Sequence, residues 1–192
     1  GMAVAVPTET VYGLAADARN PQAVARIYAA KGRPDFNPLI VHVPDLAAAE
    51  KLGAFGEVEL ALAACFWPGP LTIVVPRTAE CPVASIATAG LDTIAIRVPA
   101  HRAMRALLET TGAPLAAPSA NASGRVSPTR AEHVLASLDG RIALVIDDGP
   151  TRAGVESTIA RVKDGAIEML RPGPVTAAML GEASGLPVTG VE

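Results

Sequence analysis

The spacing of apolar and polar positions changes period several times along the chain, and each change marks an element. Ala3 to Val6 is a short apolar run stopped by Pro7, which predicts a strand. Asn20-Pro21 is a helix start, with Asn as the cap and Pro at the first helical position. Val24, Ile27, Tyr28 and Lys31 follow at helical spacing, and Gly32 suits a left-handed stop. Leu39 to Val43 reads as a strand, Asp45 as the cap of a short helix ending near Gly53, and 57–66 as a helix. That last helix places Val58, Leu62, Cys65 and Phe66 on one side, which makes Cys65 a small core residue. Leu71 to Val75 is an apolar, β-branched strand after the rigid Trp67-Pro-Gly-Pro70 turn.

The stretch 76–92 reads as irregular, with the small-residue content of a mobile lid. Thr93 to Val98 alternates, with Ile94, Ile96 and Val98 on one face and Thr93, Ala95 and Arg97 on the other. A helix over 100–110, a short strand over 115–117 and a helix to about Leu138 follow, the last opened by a Thr129-x-x-Glu132 capping box. Ile142 to Ile146 is a strand. Asp164-Gly165 joins Thr158–Lys163 to Ala166–Arg171 as a hairpin, and a short tail closes the chain. Strands joined partly by helices and partly by a hairpin predict an α/β fold: a twisted, open, mixed parallel and antiparallel sheet covered by helices.

Composition narrows the functional classes. Half of the 192 residues are hydrophobic but only 3% are aromatic, so aliphatic side chains must build the core. Residues 2–192 suit one domain, and Gly1 before Met2 reads as a tag remnant. The net charge of -3 offers no global field for nucleic acid, though it allows a local basic cleft. Two cysteines make neither a disulfide framework nor a zinc site, and no apolar run is long enough to span a membrane, so the expectation is a cytoplasmic protein.

Candidate chemistry gathers at strand ends. Lys31-Gly-Arg-Pro-Asp-Phe-Asn-Pro-Leu-Ile-Val-His-Val43 carries two cations two residues apart; in an extended run they project together and suit a phosphate or carboxylate. The alternative is a solvated basic loop, with Lys31 offsetting the helix's negative end. Pro7-Thr-Glu-Thr-Val-Tyr-Gly-Leu14 sets hydroxyls at a strand end, a place where open α/β sheets bind ligands, or forms an ordinary turn. Thr10, Lys31, Arg33, Arg97, Ser119, Ser127, Ser157 and Arg171 supply donors and cations without an obvious nucleophile. That set suits chemistry between two bound substrates, driven by positioning and charge stabilisation. Phosphate-binding glycine motifs and a nucleophile elbow are missing from the sequence, and His42, His101 and His133 are too scattered for a metal triad. Asp147-Asp148 is a candidate for Mg²⁺ through water, or a satisfied turn.

In order along the chain, PTETVYGL at 7–14, KGRPDFNPLIVHV at 31–43, FWPGPLTIV at 66–74, IAIRVP at 94–99, APSANASG at 117–124, GVEST at 154–158 and LRPGPV at 170–175 resemble the YrdC-type L-threonylcarbamoyladenylate synthases. The resemblance implies that L-threonine, bicarbonate and ATP give threonylcarbamoyl-AMP and pyrophosphate, for tRNA threonylcarbamoyladenosine modification. It implies a concave, largely positive ligand cleft, with Lys31 and Arg33 as catalytic cations. Thr10, His42, Arg97, Ala117 and Ser157 correspond to threonine-binding positions. Arg33, Asn37, Thr93, Ser119, Asn121, Ser127 and Arg171 correspond to nucleotide-binding positions. Mg²⁺ is expected to come with ATP, with no metal site of the protein's own, and tRNA or downstream tRNA-modification proteins are possible partners. Two departures stand out: Ala15 replaces a common glycine, and the chain resembles the short form that lacks a second domain. A noncatalytic RNA-binding module and a related carbamoyl-transfer enzyme are the alternatives, separated from the synthase by threonine- and bicarbonate-dependent pyrophosphate release.

Overall fold

In the computed structural model, which describes residues 1–34 and 37–190, the apolar stretches become strands of one ten-stranded sheet. Asp35 and Phe36, inside the Lys31–Val43 stretch, lie outside the described residues. The first half holds β1 (Val4–Pro7), β2 (Tyr12–Asp17), α1 (Pro21–Lys31), β3 (Ile40–His42), α2 (Leu46–Glu50) and α3 (Glu57–Phe66). Next come β4 (Leu71–Pro76), β5 (Thr93–Arg97), α4 (Arg102–Thr111) and β6 (Leu115–Ala116). The chain continues with α5 (Ala131–Leu138), β7 (Leu144–Val145), β8 (Thr158–Lys163), β9 (Ala166–Arg171), α6 (Ala177–Ser184) and β10 (Val188–Gly190). Across the sheet the order is β10-β9-β8-β4-β5-β3-β6-β2-β1-β7. β3 runs parallel to β5 and β4 parallel to β8, while β4 and β5 pair antiparallel, as do β8 and β9. The mixed α/β sheet expected from the sequence is therefore present.

Local chemistry explains the boundaries. Asn20 Oδ1 accepts from the N–H groups of Gln22 (3.0 Å) and Ala23 (3.1 Å), and Gly32 ends α1 at φ 57°. Asp45 Oδ1 accepts from Ala48 N–H at 2.8 Å to open α2. Asp164 and Gly165 both take positive φ (50° and 75°), the geometry a two-residue hairpin needs. Most of the core lies in one cluster, where α1 lays Val24 and Ile27 among Leu14, Val41, Ile73 and Ile96. Each fully buried Leu or Ile there contributes about 1.5–3 kcal/mol relative to exposure. A smaller cluster forms where α4 brings Met104 and Leu108 to Val6, Ala15 and Leu115.

Several local expectations are corrected. β2 follows β1 after a four-residue turn, where the sequence pattern suggested only a ligand loop. Residues 76–92 are no lid: Val83, Ala87 and Thr88 are buried, Ala87 C=O accepts from Leu39 N–H (2.8 Å), and Ala84 N–H donates to Ala18 C=O (2.8 Å). Cys65 is exposed, because Leu62 and Ala63 form the buried side of α3. The Thr129 capping box does not form: α5 starts one residue later, behind Arg130, and Thr129 turns to the His133 ring. The 142–146 strand shrinks to β7, and the supposed tail carries α6 and β10.

Candidate functional site

Strand register builds one wall of a cleft. Ile159 pairs with Thr72, Ile73 pairs with Ile96, and Arg97 pairs with His42. Ile159, Thr72, Arg97 and His42 therefore stand in a row across β8, β4, β5 and β3, and such a row shares one face of the sheet. Loops close over this row: the turn between β1 and β2 brings Thr8 and Thr10, the loop after β6 brings Ala117 and Ser119, and Glu156 and Ser157 lead into β8. Arg171 ends β9 and Arg33 follows α1 on the same cleft, which holds about 140 Å³. A volume of that size suits a molecule smaller than a typical drug-sized ligand, so a larger ligand must extend through the mouth. A roomier cavity of about 930 Å³ lies elsewhere, beside α2 and α4, with Arg19, Lys51 and Arg105 facing Asp45, Glu80 and Glu109. None of the sequence candidates lines it, and its mixed charge offers no converging set.

The end of the cleft at Thr10 is a tight polar network. Arg97 is 3% exposed. Its Nε donates to Gly69 C=O (3.1 Å), its Nη1 to Thr10 Oγ1 (3.0 Å) and its Nη2 to Glu9 Oε1 (2.5 Å). Burial lowers the guanidinium's pKa, and Glu9 opposes that effect. Thr10 and Thr8 hydroxyls meet at 2.8 Å, and Ser157 Oγ meets Thr72 Oγ1 at 2.8 Å. His42 is buried, and its Nδ1 has no partner among the described residues. Burial first, and the Arg97 charge second, push its pKa down to about 3, so the imidazole is neutral at physiological pH. The residue lines the cleft, and a neutral imidazole can both donate and accept a hydrogen bond there.

The cations divide. Arg171 donates from Nε to Ser157 C=O (3.0 Å) and from Nη2 to Ser157 Oγ (3.0 Å). Arg33 makes one long contact, Nη2 to Pro38 C=O at 3.3 Å, and its buried Nε has no partner among the described residues. Lys31 does not share the cleft wall with Arg33, because it is the last residue of α1 rather than part of an extended run. It is 2% exposed, and its ammonium donates to the carbonyls of Ser119 and Asn121. Burial, with repulsion from Arg33, lowers its pKa to about 8.

The other sequence candidates are less uniformly placed. Asn121 donates from Nδ2 to Ala122 C=O (3.1 Å) and Arg125 C=O (2.7 Å), so its amide knits the loop and does not line the cleft. Ser127 donates to Glu156, bridging two loops. Asn37 is exposed and outside the lining, its carbonyl taken by Tyr28 OH at 3.0 Å. Thr93 sits at the far end of β5, four residues and about 13 Å of strand from Arg97, away from the cleft. Asp147 accepts from Tyr12 OH (3.2 Å) and Gly149 N–H (3.1 Å), and Asp148 holds Arg102, so that acidic pair is a satisfied turn. Among the described residues no group of three or more His, Cys, Asp or Glu side chains is disposed to hold a metal. Sequence reasoning missed Thr8, Glu9, Thr72 and Glu156 as individual site residues; all four lie inside the quoted motifs, and strand register is what brings Thr72 beside Arg97.

The chain is 52% identical over 174 residues to the threonylcarbamoyl-AMP synthase of Bacillus subtilis (strain 168), covering 90% of this chain and 50% of that protein. It is 49% identical over 174 residues to the threonylcarbamoyl-AMP synthase of Pyrococcus abyssi (strain GE5 / Orsay), covering 90% of this chain and 51% of that one. The chain thus spans about half the length of these curated relatives. The crystal structure of P. abyssi Sua5 complexed with L-threonine superposes with a TM-score of 0.93 at 45% identity, covering 98% of this chain and 55% of that one. A family model described as "Telomere recombination" (Sua5, YciO, YrdC) matches residues 1–173, and the chain belongs to that family.

Proposed function

We propose that the chain is a nucleotidyltransferase that makes threonylcarbamoyl-AMP from L-threonine, bicarbonate and ATP. The observation that carries this reading is that the neutral, buried His42, the Thr10 and Ser157 hydroxyls and Arg97 line one cleft together. A small hydroxy amino acid satisfies such a set; a purely apolar one leaves it unpaired. The solved relative complexed with L-threonine and the names of the curated relatives support the same substrate.

The chemistry needs no protein nucleophile. The threonine amine, once it has lost its proton, adds to bicarbonate, and water leaves to give a carbamate. A carbamate oxygen then attacks the α-phosphorus of ATP, and pyrophosphate departs with the bonding electron pair. Both steps join anions, so the protein's task is to hold the reactants together and offset negative charge. Arg33 and Arg171, on the lining of the same cleft, are the cations available for phosphate oxygens. Thr10, His42, Arg97, Ser157 and the Ala117 backbone take threonine in this reading, and Ser119, Ser127, Arg33 and Arg171 take the nucleotide. Lys31 acts by fixing the Ser119–Asn121 loop. Mg²⁺ comes with the triphosphate. The product would feed tRNA modification in the cytoplasm; no helix among the described residues is long and apolar enough to cross a membrane.

The test is pyrophosphate release with each substrate omitted in turn, and mass detection of the adenylate. Dependence on both threonine and bicarbonate is expected. Release that continues without bicarbonate rejects the carbamate step.

A further inference from the structure

We propose that Glu156 is a direct protein ligand of the magnesium ion carried by the ATP triphosphate. The inference rests on the synthase reading above and concerns the same cleft. Among the described residues, the carboxylates in or near the cleft are otherwise committed. Glu9 gives one oxygen to Arg97 and the other to Ala100 N–H (3.1 Å). Asp147 is taken by Tyr12 and Gly149, and Asp148 by Arg102. Glu156 differs in position: among the described residues it is the carboxylate that lines the cleft, where Ser127 Oγ donates to its Oε1 and its own N–H also contributes. No cation lies within ion-pairing distance of it among them either, although Arg171 and Lys31 are close enough to act through space.

Position and chemistry select the ligand. Ser127 and Arg171, both assigned to the nucleotide in the reading above, are among the groups that act on Glu156. A free carboxylate there repels a bare triphosphate, and only a bridging cation converts that repulsion into attraction. Magnesium characteristically takes one or two carboxylates together with substrate phosphate oxygens and keeps several waters. One carboxylate is thus enough, and a dedicated cage is not required. The backbone that carries Glu156 is held firmly: at Gly173 a Cβ would collide with Glu156 O, Ser157 C and Thr158 N, so the Arg171–Pro174 turn lies directly on this segment. Burial acts to raise the Glu156 pKa, but Ser127, its own N–H, Arg171 and Lys31 outweigh it and keep the group below the usual carboxylate range.

Calorimetry of ATP binding, with Mg²⁺ and with EDTA, decides the matter on wild type and Glu156→Gln. Gln keeps an acceptor for Ser127 and removes the charge. In wild type Mg²⁺ should strengthen ATP binding. In the variant that gain should shrink about tenfold or more, the size of an ordinary coupling between sites, while metal-free ATP binds as well as or better than to wild type. An unchanged gain overturns the proposal. So does a loss of threonine affinity with ATP binding unaltered, which would make Glu156 the anchor for the ammonium group. A wild type that binds no ATP under either condition sinks the synthase reading itself. A second measurement needs no variant: hexaamminecobalt(III), which carries positive charge but cannot take a carboxylate into its inner sphere, should not replace Mg²⁺ in wild type. If it restores ATP affinity fully, direct ligation is wrong.

Discussion

Acid should destabilise this protein through His42, and the effect can be worked out in advance. The ring is neutral in the fold and resists protonation down to about pH 3. In the unfolded chain the same ring takes a proton near pH 6.5. Between those values the unfolded state binds more protons, so stability is complete above about pH 6.5 and falls as pH falls. At pH 5 the unfolded imidazole is protonated about thirtyfold over neutral, which favours unfolding by about 2 kcal/mol. The loss continues at about 1.4 kcal/mol per pH unit until the folded ring also titrates. Urea melts of wild type and His42→Gln at pH 7, 6 and 5 isolate this contribution. His101 and the carboxylates titrate in both chains, so they cancel in the difference. Wild type should lose about 2 kcal/mol more than the variant between pH 7 and pH 5. Equal losses would mean that the ring reaches solvent or a proton acceptor in the fold, and the neutral-imidazole description of the pocket would fail with it.

Three further outcomes are expected. Arg33→Ala should weaken ATP binding by roughly 1.5–3 kcal/mol with little change in melting temperature, whereas Lys31→Ala should lower stability by at least that amount, because a buried side chain and two charge-assisted hydrogen bonds go together; calorimetry paired with thermal melts separates them, and a silent Lys31→Ala melt contradicts its place under the loop. Serine should remain a detectable substrate, at a cost of about 1–3 kcal/mol for the missing methyl, and valine should be rejected more strongly; equal specificity constants for threonine and valine would exclude the hydroxyl pocket. Glu9→Ala leaves the Arg97 guanidinium buried without its anion and should cost about 3–5 kcal/mol by urea melts, and a loss below about 1 kcal/mol would show that Arg97 finds another counter-charge.

What could be read from sequence was whatever local chemistry determines. Asn20-Pro21 with Gly32, Asp45, and Asp164-Gly165 act within a few residues of themselves, and their elements stand where the pattern put them. β2 was hidden because Gly13, Ala15 and Ala16 carry too little side chain to show alternation, though all three are strand residues. α6 escaped for a similar reason, being short and built on small residues. The 76–92 stretch looked loose because its small residues signal flexibility in isolation; in the fold they fit beneath α1 and β3. For the site, the motifs named the right segments but not the directions of side chains. Pairing Lys31 with Arg33 needs an extended backbone, whereas the helical spacing already places Lys31 on α1, and the helix turns it inward. Thr93 and Arg97 share a strand face, yet strand length separates them. Glu9 and Arg97 are 88 positions apart, so only the sheet can reveal their pairing.

That pairing changes how the cleft's charge should be counted. The sequence supplies four cations to the region, Lys31, Arg33, Arg97 and Arg171, and suggests a strongly positive cleft. In the fold, Arg97 already faces Glu9, and Lys31 spends its ammonium on two carbonyls beneath the loop. Arg33 and Arg171 remain without a close anion among the described residues, and both are held where burial makes their charge costly. On Arg171, repulsion from Arg97 and Arg33 adds to the effect of burial, and Glu156 opposes it. An incoming polyphosphate relieves that repulsion as well as forming hydrogen bonds, so the energy for binding it is partly stored in the empty cleft. Arg97, neutralised by Glu9, has less to gain from a substrate carboxylate than an unpaired guanidinium would. Its firmest consequence is the hydrogen bond that fixes the Thr10 hydroxyl. Under the proposed function, placed hydroxyls and a neutral ring would select the small amino acid and the arginine charges the nucleotide, the division expected of a site that holds one small zwitterion and one polyanion side by side.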